Sequence, residues 1–206
     1  MRCYAYLAAA VLLGCAGFAS AQPADARMTR AQAEALMEED GTDVMQENLP
    51  VNLFNAKADI VEAMLVLGVD PNGKLEQTPQ STMEFAVSAC MDKRIAEADV
   101  LKTLDLLFRY GARADDSGMM PPLILAAQQC TPAVVKRLIA GGAKLDVRLP
   151  QGFTPLSMAL IVGKYDNAEV LIDAGARLSA EGAAKLSEGQ QDNAKLMSLV
   201  KRATAK

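Results

Sequence analysis

Apolar residues return three and four positions apart in short runs, and Gly, Pro and polar residues separate the runs. That spacing predicts short helices, each with one buried stripe. In "GFTPLSMALIVGKYDNAEVLIDAGA", Leu156, Ala159 and Leu160 mark the buried side of a first helix, and Ala168, Leu171 and Ile172 that of a second. Thr154 is placed to cap the first helix and Pro155 to occupy its first position, where a missing N–H costs nothing. Gly163 breaks the first helix so that the chain reverses, and Gly175 ends the second in the left-handed conformation. The stretch therefore predicts one helical hairpin.

The hairpin recurs. Counting back from Gly175, the same marker stands 33 residues earlier at Gly142, a further 31 earlier at Gly111 and a further 43 earlier at Gly68. The unit before the last, "MPPLILAAQQCTPAVVKRLIAGGA", places Leu123, Ala126 and Ala127 in a first helix. Thr131-Pro132 then opens a second helix with Val134, Val135, Leu138 and Ile139 as its stripe. In "STMEFAVSAC", Met83, Ala86 and Val87 align, but nine extra residues separate Cys90 from its marker. They form an insertion near Met91 to Asp99, which either lengthens a helix or makes a charged loop. The earliest unit, "ENLPVNLFNAKADIVEAMLVLGVDPN", shows a plain second helix and a degenerate first one. "MTRAQAEALMEED" before the units and "SAEGAAKLSEGQQDNAKLMSLVKRA" after them read as helical caps, which a stack of repeats needs at its ends. In the last stretch Leu186, Leu196, Leu199 and Val200 face inward.

A period near 33 built from two helices and a turn, with "GFTPLSMA" followed by "AGA", resembles the ankyrin repeat family over roughly residues 42 to 180. The expected architecture is an all-α solenoid. Residues 22–41 form a lead-in helix, 42–180 about four repeats with the first degenerate, and 181–206 capping helices. The family's Thr-Pro-Leu-His motif is not intact here, since Glu84, Ile124 and Ser157 stand where its His would be. The hydrogen bonds that His makes between units are therefore absent or replaced, and the stability expected of the fold is lower.

The resemblance implies a binder of another protein, acting through its concave face and finger loops. In that register Leu125, Gln128 and Gln129 lie on one concave helix face, Met158, Ile161 and Val162 on the next, and Arg148 and Phe153 on the finger between them. Met119 and Met120 fall at a finger as well. Two readings of this strip stand: a contact surface for a partner, or packing of Ile161, Val162 and the methionines on neighbouring repeats. The remaining Met37, Met64, Met83 and Met197 sit at core spacing. The register also makes Cys90 and Cys130 equivalent, each standing where Gly163 stands. Equivalent points on neighbouring units are about 10 Å apart, whereas a disulfide requires Cα atoms about 4.4 to 6.8 Å apart. A Cys90–Cys130 disulfide and two buried free thiols both remain open, the former if the insertion draws the two together.

Composition narrows the chemistry. The 206 residues are 51% hydrophobic, with no Trp and no His. Without His the chain lacks the usual general base, the partner of Ser and Cys nucleophiles and the commonest zinc ligand. Neither a metal site nor a cofactor site is expected. Asp115-Asp116 reads as a solvated turn, because adjacent side chains diverge and no third ligand is evident. "MEED", at Met37 to Asp40, reads as an exposed helix end.

The N-terminal stretch carries Arg2, an apolar run from about Tyr4 to Phe18, and Ala19-Ser20-Ala21 before Gln22, the order of a secretory signal peptide over residues 1–21. Leu12-Leu13-Gly14-Cys15 offers a second reading, a lipobox with a lipid anchor at Cys15. Either implies export, and the apolar run is short for a membrane span. After removal of Arg2 with the signal, 20 Lys and Arg face 25 Asp and Glu. This scattered, mildly acidic charge offers no footprint for nucleic acid. The expected function is protein binding in the periplasm or envelope, as an immunity-type inhibitor or a chaperone-like helper. The competing classes are a lipid-anchored structural protein of the envelope and a hydrolytic enzyme with carboxylate or Ser and Lys chemistry on its finger loops.

Overall fold

The computed structural model describes residues 27–116 and 118–205; residues 1–21, expected from sequence to be a signal peptide, and with them Cys15, lie outside the described residues. Helix α1 (Arg30–Asp40) precedes five helical pairs. These are α2 (Leu49–Phe54) with α3 (Ala58–Val66), α4 (Thr82–Ser88) with α5 (Glu97–Arg109) and α6 (Pro122–Gln129) with α7 (Pro132–Ala140). The last two are α8 (Pro155–Ile161) with α9 (Tyr165–Asp173) and α10 (Ala180–Ser187) with α11 (Ala194–Thr204). No strand occurs among the described residues, in keeping with the all-α solenoid expected.

The first helices stack in one row, α2, α4, α6, α8 and α10, and the second helices in another, which α1 extends by one member beyond α3. Between the rows Leu53, Met64, Leu104, Leu107, Leu123, Leu138, Leu156 and Leu171 are fully buried, each side chain stabilising by roughly 1.5 to 3 kcal/mol. Met37 and Met83 are buried with them, while Met197 and Leu186 are half-buried.

The marker glycines are one repeated turn. At each, the glycine N–H bonds to the carbonyl three residues back and the next N–H to the carbonyl five back, as in Gly175 to Ile172 and Ala176 to Leu171. The same pair of bonds closes α3, α5 and α7. Their φ values, +104° at Gly68, +87° at Gly111, +94° at Gly142 and +105° at Gly175, suit a residue without Cβ.

The turns inside the pairs vary, and this explains the unevenness of the sequence repeat. Gly163 (φ +74°) closes α8 with the same two bonds, and Ala56 does so after α2 at φ +50°. Forcing a Cβ into that region costs about 1–2 kcal/mol, and the alanine hides the turn from sequence inspection. In the middle pairs the position is cysteine. Cys90 lies in a 3-10 turn, Ala89–Met91, that continues α4, whereas Cys130 is extended (φ −90°, ψ −174°) after α6. The two are therefore not equivalent in backbone conformation. Their Cα atoms are 5.4 Å apart and a disulfide joins them. After that 3-10 turn, the first part of the insertion is a charged loop, in which the Asp92 carboxylate accepts from the Arg94 backbone N–H (2.9 Å) and guanidinium. The Arg94 hydrogen bonds lower the Asp92 carboxyl from its ordinary value to about 2. The rest, from Glu97, is the first turn of α5.

Thr154 and Ser157 form a reciprocal capping box at α8. Thr131 precedes α7 as expected, but its side chain makes no capping bond; Pro132 already removes one of the donors at that end.

Two buried polar residues tie successive pairs, and one of them, Glu84, stands where the family's His is missing. Glu84, with 1% of its surface exposed, accepts backbone N–H bonds from Ser81 (2.6 Å) and Gly118 (2.7 Å) on Oε2, and from Met119 (3.0 Å) and Met120 (2.6 Å) on Oε1. One carboxylate thus caps its own helix and holds the next loop. A Cβ on Gly118 would collide with the Pro79 carbonyl oxygen, so this close approach requires glycine. The second tie is Asn167 of α9, whose Nδ2 donates to the carbonyls of Ala127 (3.0 Å) and Cys130 (3.0 Å). These are among the α6 end carbonyls that no left-handed turn satisfies.

Glu84→Gln replaces an acceptor oxygen with an NH₂ facing N–H donors, so urea unfolding should show a loss of about 2–3 kcal/mol despite the equal size. Reduction of Cys90–Cys130, a separation of 40 residues, should lower stability by about 4 kcal/mol if loop entropy dominates, read in the same assay with and without reductant.

Candidate interaction face

The loops that lead into the first helices are locked to one another by side chain to backbone bonds. Gln46 donates to the Asp70 carbonyl (3.0 Å) and accepts from its N–H (3.2 Å). Asn72 donates to the Gly111 carbonyl (3.0 Å) and accepts from the Arg113 N–H (2.8 Å). Asp115 accepts from the Lys144 N–H at 2.8 Å. Asp115 is therefore not the freely solvated residue that the sequence suggested, because its carboxylate anchors the following loop. In the loop before α8 a turn is closed by Gly152 N–H to Leu149 O (2.8 Å) and Leu149 N–H to Phe153 O (3.0 Å).

These loops and the first helices carry the exposed large apolar side chains. Met119 is 66% exposed, Ile161 50%, Val162 45% and Phe153 38%. Ile161 and Val162 thus do not pack away on neighbouring repeats. Of the other residues singled out from sequence, Arg148 and Gln129 are exposed, while Met120, Leu125, Gln128 and Met158 are half-buried. Gln128 Nε2 donates to the Met120 sulfur at 3.2 Å, and the Met120 N–H is held by Glu84. Met120 and Gln128 therefore belong partly to the scaffold, with Met119 projecting beside them.

Sequence reasoning missed the N-terminal part of this strip. Val51 (56% exposed) and Phe54 lie on α2, and Val44, Met45 and Met91 flank first helices. Phe85 is half-buried on α4, the helix stacked between α2 and α6. The degenerate first unit offered no register on which to place Val51 and Phe54. Every exposed large apolar side chain among the described residues falls in a first helix or a loop bordering one.

The second-helix row has the opposite character. Asp59 pairs with Lys102 (2.7 Å), Asp105 with Arg137, Glu169 with Lys195 and Asp173 with Arg202 (2.7 Å), linking α3 to α5, α5 to α7 and α9 to α11. The hydrogen bond and charge of Lys195 lower the Glu169 carboxyl below its ordinary value. Tyr110, partly buried, donates to Glu62 at 3.3 Å, and burial together with that negative charge raises its phenol. Exposed pairs of this kind contribute about 0–1 kcal/mol each; their larger effect is to give this side a charged surface.

A groove of about 430 Å³ lies at the C-terminal end of the apolar strip, between the Leu149–Phe153 turn and α10. Phe153, Ile161 and Leu186 supply its apolar walls, with Arg148 on one side and Glu181 and Lys185 on the other. Glu181 and Lys185 pair at 2.7 Å, and this contact lowers the carboxyl and raises the ammonium. Among the described residues no group of three acidic or cysteine side chains is placed to hold a metal, and no helix is long and apolar enough to cross a membrane.

Comparison with protein-family models matches residues 89–181 to ankyrin repeats in three copies. No curated protein matches the chain. The helix-turn-helix pairs, the recurrent glycine turn and the two stacked rows extend the same plan on both sides of the matched segment. Over residues 89–181 the chain is made of ankyrin repeats, the building unit of protein–protein interaction modules.

Proposed function

We propose that this is an exported ankyrin-repeat protein that binds another protein in the periplasm through its first-helix face. The observation that carries the reading is the segregation of surface types. Large apolar side chains cluster on the first helices and their loops, and interhelix ion pairs line the second helices. An apolar strip of this size is costly to leave in water and is common where proteins meet. Its core is Met119, Phe153, Met158, Ile161 and Val162, with Leu125 and Gln129 beside it and Val51, Phe54 and Phe85 extending it. The partner is a periplasmic or envelope protein that the chain inhibits, in the manner of an immunity protein, or assists, in the manner of a chaperone. Export rests on the Arg2, apolar and Ala-Ser-Ala order of residues 1–21.

The test is capture from a periplasmic extract, under non-reducing conditions, with three chains: wild type, Phe153→Asp with Ile161→Asp, and Lys102→Glu on the opposite row. A partner held by the first and third and weakened at least about tenfold by the second supports the face, provided circular dichroism shows all three equally folded. Equal recovery by all three would reject it. The intact mass of the exported chain should correspond to a start at Gln22 with no acyl group; a lipidated start at Cys15 would instead favour an envelope-anchored protein.

A further inference from the structure

The groove between the Leu149–Phe153 turn and α10 has a chemistry that the rest of the apolar strip lacks. Phe153, Ile161 and Leu186 offer an apolar surface in about 430 Å³, room for one large side chain and its neighbours. Arg148 borders it without a carboxylate partner among the described residues; its only polar contact there is the Gly152 carbonyl at 3.4 Å. Lys185 borders it from the helix side, and its partner Glu181 is 79% exposed, so that pair exchanges readily for another anion. The hollow between α7 and α9, about 580 Å³, is bounded instead by three carboxylates, Asp166, Glu169 and Asp173, and one cation, Lys136. The groove beside α10 sets two cations, Arg148 and Lys185, against one carboxylate, Glu181, whereas the hollow has the reverse balance, so an acidic segment is favoured at the groove.

We propose that the groove formed by Arg148, Phe153, Ile161, Lys185 and Leu186 receives an internal acidic segment of the partner protein, a large apolar side chain flanked by Asp or Glu. This rests on the first-helix face being the binding face and names the chemistry recognised at its C-terminal end. The apolar side chain enters between Phe153, Ile161 and Leu186, and the flanking carboxylates meet Arg148 and Lys185 on opposite walls. A free C-terminal carboxylate is the poorer occupant, because one anionic group engages one wall, whereas two flanking side-chain carboxylates engage Arg148 and Lys185 together; the Gly182 N–H beside the groove is already given to Ser179 Oγ at 3.0 Å.

The test is a titration of ¹⁵N-labelled protein with acetyl-Gly-Asp-Phe-Asp-Gly-amide, alongside acetyl-Gly-Lys-Phe-Lys-Gly-amide and acetyl-Gly-Gly-Phe with a free carboxylate. The acidic peptide should shift the amides of Phe153, Ile161, Lys185 and Leu186 with a Kd of about 1 mM, and added salt should weaken it. The lysine peptide should bind at least about tenfold more weakly. Arg148→Gln with Lys185→Gln should weaken the acidic peptide by a similar factor with an unchanged melting curve, since both side chains are exposed. Phe153→Ala should weaken all three peptides. No shifts, equal binding of the acidic and lysine peptides, or preference for the free carboxylate would each overturn the proposal. If the periplasmic partner is still lost from the Phe153→Asp, Ile161→Asp chain, only this inference fails. If the partner is not lost, the face itself fails, whatever the peptides do.

Discussion

A pair of short helices cannot bury its own apolar stripes, and the architecture of this chain follows from that deficit. Each pair is completed by the next: α6 needs α4 on one side and α8 on the other, and α7 needs α5 and α9. Stability then passes along the stack from neighbour to neighbour, and the ends need cover. At one end α1 lies on α3 and extends the second row; at the other α10 and α11 form a last pair whose outer surface is largely charged and polar.

Apolar stacking sets the rows but does not fix where one pair sits on the next, and in this chain polar bonds do so. Glu84 makes the strongest case, because its two oxygens accept four backbone N–H groups, three of them from residues 34 to 36 positions later. A buried carboxylate is costly unless it is saturated with donors, so the loop at Gly118 to Met120 is drawn into one position. Asn167 acts in the reverse direction, satisfying carbonyls at the end of α6 from the following pair. The Cys90–Cys130 disulfide joins the same two first helices that Glu84 ties at their other end. Thus α4 and α6 are secured at both ends.

These constraints have a consequence for the surface. The first helices are held by buried ties and locked loops, so their outward side chains are not needed for the fold and can be apolar. The second helices use outward charge between neighbours, as in Asp59–Lys102 and Asp173–Arg202. The two faces therefore differ in what they can contact: one favours a partner that brings apolar side chains, the other remains well solvated. Rigid loops such as Leu149–Phe153 keep Phe153 and Arg148 in place before any partner arrives, which reduces the ordering entropy lost on binding.

Much of the fold was legible in the amino-acid order, because its causes are local. The i, i+3, i+4 stripes, Thr154-Pro155 at a helix start and the glycine that ends α3, α5, α7, α8 and α9 act within a turn or two of chain. They determined the hairpins and their spacing wherever the residues were the preferred ones. Ala56 concealed the first such turn, because its left-handed backbone is imposed by the surrounding pair and not by the residue. Met119, Phe153, Ile161 and Val162 could be placed on an outer face by register alone, but whether they stayed exposed depended on what packed beside them. The Glu84 tie, the 5.4 Å approach of Cys90 and Cys130, the Asp115 anchor and the meeting of Arg148 with Lys185 across one groove were decided only by tertiary structure. Each joins residues about 30 to 40 positions apart, and that separation becomes a contact only when helical pairs stack with a particular offset.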